Sequence, residues 1–140
     1  MTREFQKFWI KVVAIVAGGA GPILFLGSMT ATMEPARLML DIASWPIDGA
    51  TTYSSPDTRF LSGMSSGFLM GWGVLFWHLS SKVYDLAPEE VRKACLYSLA
   101  TWFLFDSTGS IASGNASNAL FNFILLLITA LPLLRAAKEA

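Results

Sequence analysis

Four stretches of this sequence carry almost no formal charge over the length of a membrane span. They cover residues 12–29, 60–79, 94–113 and 117–134. The hydrocarbon core of a bilayer takes about 20 apolar residues in a helix, so each stretch is long enough to cross it. The whole chain is 54% hydrophobic and only 14% charged, whereas soluble domains are about 25% charged. The sequence therefore predicts an all-α integral membrane protein, a single domain folded as a four-helix bundle.

The first stretch has one alternative interpretation. Arg3, Lys7 and Lys11 precede it, as basic residues precede the apolar region of a secretory signal. The segment that follows, GSMTATM at residues 27–33, is a poor cleavage site because signal peptidase prefers small residues at alternate positions. We therefore expect residues 12–29 to be a retained span.

Basic residues divide unequally between the loops that these spans define. If the amino terminus is cytoplasmic, the outer side carries only Arg37 and Arg59, and eight bases lie inside: Arg3, Lys7, Lys11, Lys82, Arg92, Lys93, Arg135 and Lys138. Cytoplasmic loops of membrane proteins carry the excess of lysine and arginine. The sequence therefore predicts that both termini are cytoplasmic.

The first outer loop, residues 30–59, is the only sizeable piece outside the predicted spans. Its segment EPARLMLDIAS carries Pro35 near a helix start and is apolar on most faces. We expect a short helix over residues 35–44, which either lies on the outer membrane surface or caps the bundle.

Glycines recur at four-residue spacing in the second span, at Gly63, Gly67 and Gly71. Helices in lipid associate by close backbone approach, which small residues allow. The first span carries a matching pair, Gly18 and Gly21, just before Pro22. These residues are predicted to pack helices together within the chain, or alternatively to form a groove for a ligand or partner. Pro22 indicates a kink that fits two helices together, or a broken helix of the kind that transporters use.

A second row of the same helix is bulky. It consists of Phe60, Met64, Phe68, Trp72 and Phe76, again four residues apart. This row is expected to face lipid, a bulky ligand or a second protein.

Asp106 is the only carboxylate inside a predicted span. A charged side chain at the centre of a spanning helix costs about 2.5 to 3.5 kcal/mol on insertion scales, so a compensating group is needed. The antiparallel topology places Ser65 and Ser66 at a similar depth, and Arg59, at the outer mouth of the second span, has a side chain long enough to reach down. Further donors near the same level are Ser107, Ser110, Asn118 and Asn122. Three interpretations stay open: a structural polar lock between spans, a proton or cation site, and a side chain that reaches the outer surface.

Composition argues against several functional classes. The formal net charge is zero, so no basic surplus attracts nucleic acid. With one histidine, His78, and one cysteine, Cys95, we expect neither a metal centre nor a bound cofactor. His78 lies at the inner boundary as an interfacial residue, and Cys95 is expected to be buried. No nucleophile stands with a base, so we do not expect an enzyme.

Two longer segments, DTRFLSGMSSGFLMGWGVLFW and NALFNFILLLITALPLLRA, resemble a bacterial family of small four-span inner-membrane proteins whose domain has no known function. The resemblance extends over residues 35 to 134 and depends mainly on Arg59, Phe60 and the glycine steps. It implies a fold and a location in the bacterial inner membrane, without an activity. The segment DSTGSIASGN is more polar than that family's pattern, which leaves the role of Asp106 open.

Two functional classes follow. The first is a non-enzymatic accessory or assembly subunit that docks by helix packing to a larger inner-membrane complex, respiratory or photosynthetic, or to further copies of itself. The second is a small proton-coupled carrier, or a lipid- or quinone-binding protein, that uses Asp106. In both, membrane lipid is the surrounding partner.

The predicted topology is tested by introducing a cysteine on each side of the membrane. A membrane-impermeant thiol reagent applied to intact cells should label Ser55→Cys and leave Ser81→Cys unlabelled, because only the first lies on the outer side. Labelling of Ser81→Cys alone would reverse the topology.

Overall fold

The computed structural model describes residues 1–137, which form helices and contain no β-strand. Lys138, one of the bases that we assign to the cytoplasmic side, lies outside these residues. The elements are α1 (Arg3–Gly27), α2 (Glu34–Ser44), α3 (Pro56–His78), α4 (Tyr84–Leu86), α5 (Pro88–Ala112) and α6 (Ala116–Ala130). Short 3₁₀ turns occupy Thr30–Thr32 and Leu131–Leu133, and a π-helical turn, Leu79–Val83, joins α3 to α4. The all-α prediction is confirmed.

Within residues 1–137, three helical segments are long and apolar enough to cross a membrane: Arg3–Gly27, Pro56–Leu86 and Ala116–Leu133. They contain most of the predicted first, second and fourth spans. The predicted third span lies in α5. This helix is 25 residues long, the same length as α1, but it is not among these three. Its first turns are charged, and Asp106, Ser107 and Ser110 make its second half polar. Length and composition therefore support three of the four predicted spans.

Helices α1 and α3 form an antiparallel pair with direct backbone contact. A Cβ atom placed on Gly73 would lie 2.8 Å from the carbonyl oxygen of Ala14 and 2.8 Å from Cα of Gly18. One on Gly21 would lie 3.2 Å from the carbonyl oxygen of Ser66. Further along, the Ser62 hydroxyl donates to the carbonyl oxygen of Leu24 (2.7 Å). Only small residues permit backbones to approach this closely.

The glycine steps of α3 do not all share this contact. A Cβ on Gly63 would meet only Ser28, at 3.5 Å, and one on Gly67 or Gly71 would meet nothing within 4 Å. An α-helix turns about 100° per residue, so a row of residues four apart drifts by about 40° at each step. The row that faces α1 consists instead of Ser62, Ser66 and Gly73, all buried. Of the predicted packing glycines, Gly18 and Gly21 lie in the contact, whereas Gly67 and Gly71 are exposed.

Helices α5 and α6 form the second antiparallel pair. The apolar core lies where the two pairs meet, near the chain termini. Its buried members are Ile10, Val13, Ala14, Phe76, Tyr84, Val91, Cys95, Leu99 and Leu133. Cys95 is fully buried, as expected. Helix α1 stays helical through Pro22 to Gly27, so the proline does not break it.

The end of the bundle near the termini is closed by side chains that bind the last carbonyl groups of the α6 segment. Buried Gln6 donates to the carbonyl oxygen of Arg135 (2.6 Å) and accepts from the Tyr84 hydroxyl (2.9 Å). Arg92 donates to the carbonyl oxygen of Leu133 (2.7 Å). The last carbonyls of a helix lack partners within it, so these side chains satisfy them.

The opposite end is closed by α2, which bridges the two pairs. Ala36 lies against Gly27, and Ser117 donates to the carbonyl oxygen of Ala43 (2.6 Å). The backbone N–H of Gly49 donates to Oδ2 of buried Asp41 (3.1 Å), which anchors the following loop to α2. Hydrogen bonding from Thr51, and then from Gly49, lowers the pKa of this carboxyl against the opposing effect of burial. The sequence left two positions for this helix, on the membrane surface or capping the bundle. In the structure, α2 caps the bundle.

The α1–α3 contact predicts opposite outcomes for one substitution at two glycines of α3. Gly73→Leu places a branched side chain where even a Cβ lacks room, so it should lower the free energy of unfolding by about 2 kcal/mol or more. Gly67→Leu enters open space and should change it by less than about 0.5 kcal/mol. Thermal unfolding of both variants in detergent micelles measures this difference, and equal losses of stability would contradict the packing.

Candidate functional site

A cavity of about 170 Å³ lies between the α1–α3 pair and the α5–α6 pair. All four long helices contribute to its wall, which is formed by Val13, Val16, Ala17, Ala20, Leu69, Trp72, Leu99, Trp102, Asp106, Leu125 and Thr129. The wall is apolar except for the indole N–H groups, one carboxylate and one hydroxyl. Small-molecule sites are typically concave, mostly apolar and equipped with a few polar groups that orient a ligand.

Asp106 accepts four hydrogen bonds. Asn122 and Asn118, both on α6, donate their amide N–H groups to Oδ1 at 2.9 and 3.0 Å. Ser110, one turn further along α5, donates to the same oxygen at 3.2 Å, and Trp102, one turn before, donates to Oδ2 at 3.1 Å. We call these five residues the Asp106 cluster. Hydrogen bonds to an ionised acceptor are among the stronger ones, so the cluster compensates part of the cost of placing a carboxylate here.

The cluster arises from the helical repeat on both of its helices. Trp102, Asp106 and Ser110 are four residues apart on α5, and Asn118 and Asn122 are four apart on α6. Residues at this spacing lie on one side of a helix, and the tight connection at residues 113–115 brings the two sides together. Asn122 is buried, whereas Asp106 remains exposed despite its partners. The carboxylate is therefore both held in place and open to the cavity.

The two indoles of the wall are neighbours. The ring centroids of Trp72 and Trp102 are 6.1 Å apart, with the planes inclined by 48°. Trp72 also donates its Nε1–H to the Ser98 hydroxyl (2.8 Å), across from α3 to α5. This hydrogen bond and the ring contact join the two helical pairs beside the cavity.

The other partners expected for Asp106 lie elsewhere. Arg59, in the first turn of α3, donates to the carbonyl oxygen of Ser54. Ser66 faces α1 and contacts the sulfur of Met70 (3.8 Å), and Ser65 is exposed. None of the four hydrogen bonds described for Asp106 involves these residues, because α6 rather than α3 lies against this part of α5. The amides of Asn118 and Asn122, which the sequence offered only as additional donors, take that place.

The bulky row of α3 does not form one face. Phe60, Met64 and Phe68 are exposed. Trp72 is half-buried beside the cavity, and Phe76 is buried in the core with its ring centroid 5.0 Å from that of Trp72. The drift of about 40° per step turns the row from the exterior into the bundle over its length.

Two residues of the site, Trp102 and Thr129, and one residue of the α1–α3 contact, Gly73, were not anticipated from the sequence. Trp102 is four residues before Asp106, a spacing that indicates a contact within the helix and was available in the sequence. Gly73 shares a helical face with Ser62 and Ser66, which the stronger glycine repeat obscured. Thr129, whose hydroxyl donates to the carbonyl oxygen of Leu125 (2.7 Å), gave no signal within its apolar segment.

No protein-family model, curated protein or solved structure matches this chain. The resemblance to a family of small inner-membrane proteins therefore stays a prediction, and the function is argued from the geometry of the site.

The Asp106 cluster predicts that the shape and hydrogen-bonding capacity of residue 106 decide stability. Asp106→Asn keeps a carbonyl oxygen for the α6 amides and should retain most of the stability. Asp106→Leu leaves the Asn122 amide without its closest acceptor and should lower the free energy of unfolding by about 1 to 2 kcal/mol. Unfolding in mixed micelles, followed by circular dichroism, gives both values.

Thr108→Leu is the matched control, because Thr108 is exposed on the same helix close to Asp106. It should change stability by less than about 0.5 kcal/mol. If Asp106→Asn is as damaging as Asp106→Leu, or if Asp106→Leu is neutral, the cluster does not hold the helices together.

Proposed function

We propose that this chain is a four-span protein of the bacterial inner membrane that binds a small molecule in the cavity between its two helical pairs. The observation that carries the proposal is the cavity of about 170 Å³ with the Asp106 carboxylate in its wall. The protein is proposed to act by binding rather than by catalysis.

We propose that α5 is the fourth membrane span. This helix lies antiparallel to α6 and is as long as α1, so it is long enough to accompany its neighbours across the bilayer. Its polar side chains meet donors on α6, which removes much of the penalty that their hydropathy suggests. The eight-to-two division of basic residues supports placing both termini in the cytoplasm.

Asp106 supports a role in binding because ionisable residues within spans are rare and usually mark a ligand or ion pathway. A carboxylate that served only to join α5 and α6 would be enclosed by its partners. Here the side chain is exposed and belongs to the cavity wall. The same residue is therefore proposed to hold the helices together and to bind a ligand.

Catalysis is less well supported by this site. General acid–base or nucleophilic catalysis combines at least two reactive groups within hydrogen-bonding reach. Among the wall residues, Asp106 alone has an acidic or basic side chain. We therefore propose a receptor or carrier and no chemical step.

A second candidate is an accessory or assembly subunit of a larger membrane complex, respiratory or photosynthetic, or a homo-oligomer. The observation that favours it is the open surface of α3, where Gly67 and Gly71 have no neighbour and Phe60, Met64 and Phe68 are exposed. Loss of a stoichiometric partner from Gly67→Leu, in native mass spectrometry from mild detergent, would favour this candidate.

The binding proposal predicts uptake of a neutral probe that fits the cavity. Purified protein in lipid nanodiscs should take up about one ethylbenzene per chain above empty nanodiscs, measured by equilibrium dialysis. Ala20→Phe places a ring in the cavity and should remove most of this excess, because Ala20 forms part of the wall.

Ala100→Phe is the matched control, since Ala100 is exposed on α5 and does not belong to the wall. It should take up as much probe as the wild type. No excess in the wild type, or equal uptake by the two alanine variants, would contradict a binding cavity.

A further inference from the structure

We infer that the ligand of this cavity is a lipophilic cation, a molecule with one aromatic ring and a short ammonium arm. This inference deepens the proposed function and rests on it. The juxtaposition that carries it is a carboxylate with no cationic partner among residues 1–137, beside two indole rings, in a wall whose hydrogen-bond donors are already occupied.

The hydrogen-bond donors of the wall are already occupied. The Nε1–H of Trp72 bonds to Ser98, and that of Trp102 bonds to Asp106. The Thr129 hydroxyl donates to the carbonyl oxygen of Leu125. Backbone N–H groups of the wall belong to helices and are occupied within them. A ligand therefore meets acceptors and must supply the donors itself.

Asp106 has acceptor capacity left. An ionised carboxylate has about four lone-pair positions on its two oxygens. Oδ1 receives three donors, from Ser110, Asn118 and Asn122, whereas Oδ2 receives one, from Trp102. Oδ2 therefore retains a position for a donor of the ligand, next to an indole of the wall.

No ion pair described for residues 1–137 involves Asp106. Among residues 1–137, the ion pairs of the lysines and arginines are formed with glutamates and with Asp85 near the ends of helices, not with Asp106. Neutral amides and an indole bind the carboxylate without cancelling its charge. A cationic ligand supplies the opposite charge in a medium where such attraction is only weakly screened.

The aromatic part of the wall favours the same class. The N–H groups of Trp72 and Trp102 are occupied, so these residues offer a ligand the surfaces of their rings. The two ring centroids are 6.1 Å apart. Indole is the best aromatic partner of a cation, and such contacts strengthen when water is excluded. The remaining wall is formed by Val, Ala and Leu side chains, which fit an apolar body.

Size limits the apolar body. An apolar cavity of about 150 Å³ in another protein accommodates benzene, and this cavity is about 170 Å³. One ring with a short arm therefore fits this volume. A quinone is disfavoured because its carbonyl oxygens find no free donor, and an anion is disfavoured because it meets a carboxylate.

Three probes with the same number of non-hydrogen atoms separate these chemistries: benzylammonium, neutral ethylbenzene and benzaldehyde, which only accepts hydrogen bonds. In equilibrium dialysis against empty nanodiscs at neutral pH, the wild type should bind benzylammonium about 10- to 100-fold more tightly than ethylbenzene. Asp106→Asn should abolish this preference and leave ethylbenzene binding within about twofold, which also shows that the cavity is intact.

The outcomes distinguish this inference from the proposal beneath it. Ethylbenzene or benzaldehyde binding as tightly as benzylammonium, with sensitivity to Ala20→Phe, would overturn the cationic class and keep the binding cavity. An unchanged benzylammonium preference in Asp106→Asn would overturn the role of the carboxylate. If none of the probes exceeds the empty nanodiscs, the proposed function itself fails.

Discussion

Two helices can approach only as closely as their side chains allow, and at Gly18 and Gly73 there is no side chain. The backbone of α1 therefore touches that of α3, with the Ser62 and Ser66 positions completing the contact. This packing fixes the first helical pair tightly by van der Waals contact, which is the main source of attraction between helices in lipid. The position of every other element is set against this pair.

The second pair is held by a different interaction. Helices α5 and α6 meet through the Asp106 cluster, and the two pairs are joined by the core near the termini, by Gln6 and Arg92 at the α6 end, and by α2 at the opposite end. Between these two closures the pairs are joined mainly by Trp72, Trp102 and Ser98. A space remains there because large rings and small alanines do not fill the gap evenly. The cavity is thus a consequence of tight packing within each pair and closure at both ends.

The sequence predicted the helices better than their contacts. Hydropathy located α1, α3 and α6 because lipid-facing helices need apolar residues all along their length, and it described α5 less well because its polar side chains face α6. The glycine repeat indicated close packing but pointed to Gly67 and Gly71, one row away from Gly73, since a four-residue row drifts around the helix. The need of Asp106 for donors was evident from its position. Which donors it meets depends on which helix lies beside α5, because α3 offers Ser65 and Ser66 and α6 offers Asn118 and Asn122 near the level of Asp106. Tertiary packing decides which helix supplies these donors, and no local sequence pattern indicates it.

The space between the two pairs is proposed to bind a ligand through Asp106. Crystals of the protein grown in a lipid phase with para-bromobenzylammonium test it most directly, because anomalous scattering locates the bromine without reference to the protein's own density. Binding in this space should give one bromine peak inside the cavity lined by Trp72 and Trp102, with the ammonium group directed to Asp106. Bromine peaks confined to lipid-facing surfaces, with the side chains of the two pairs closed over the space, would contradict it.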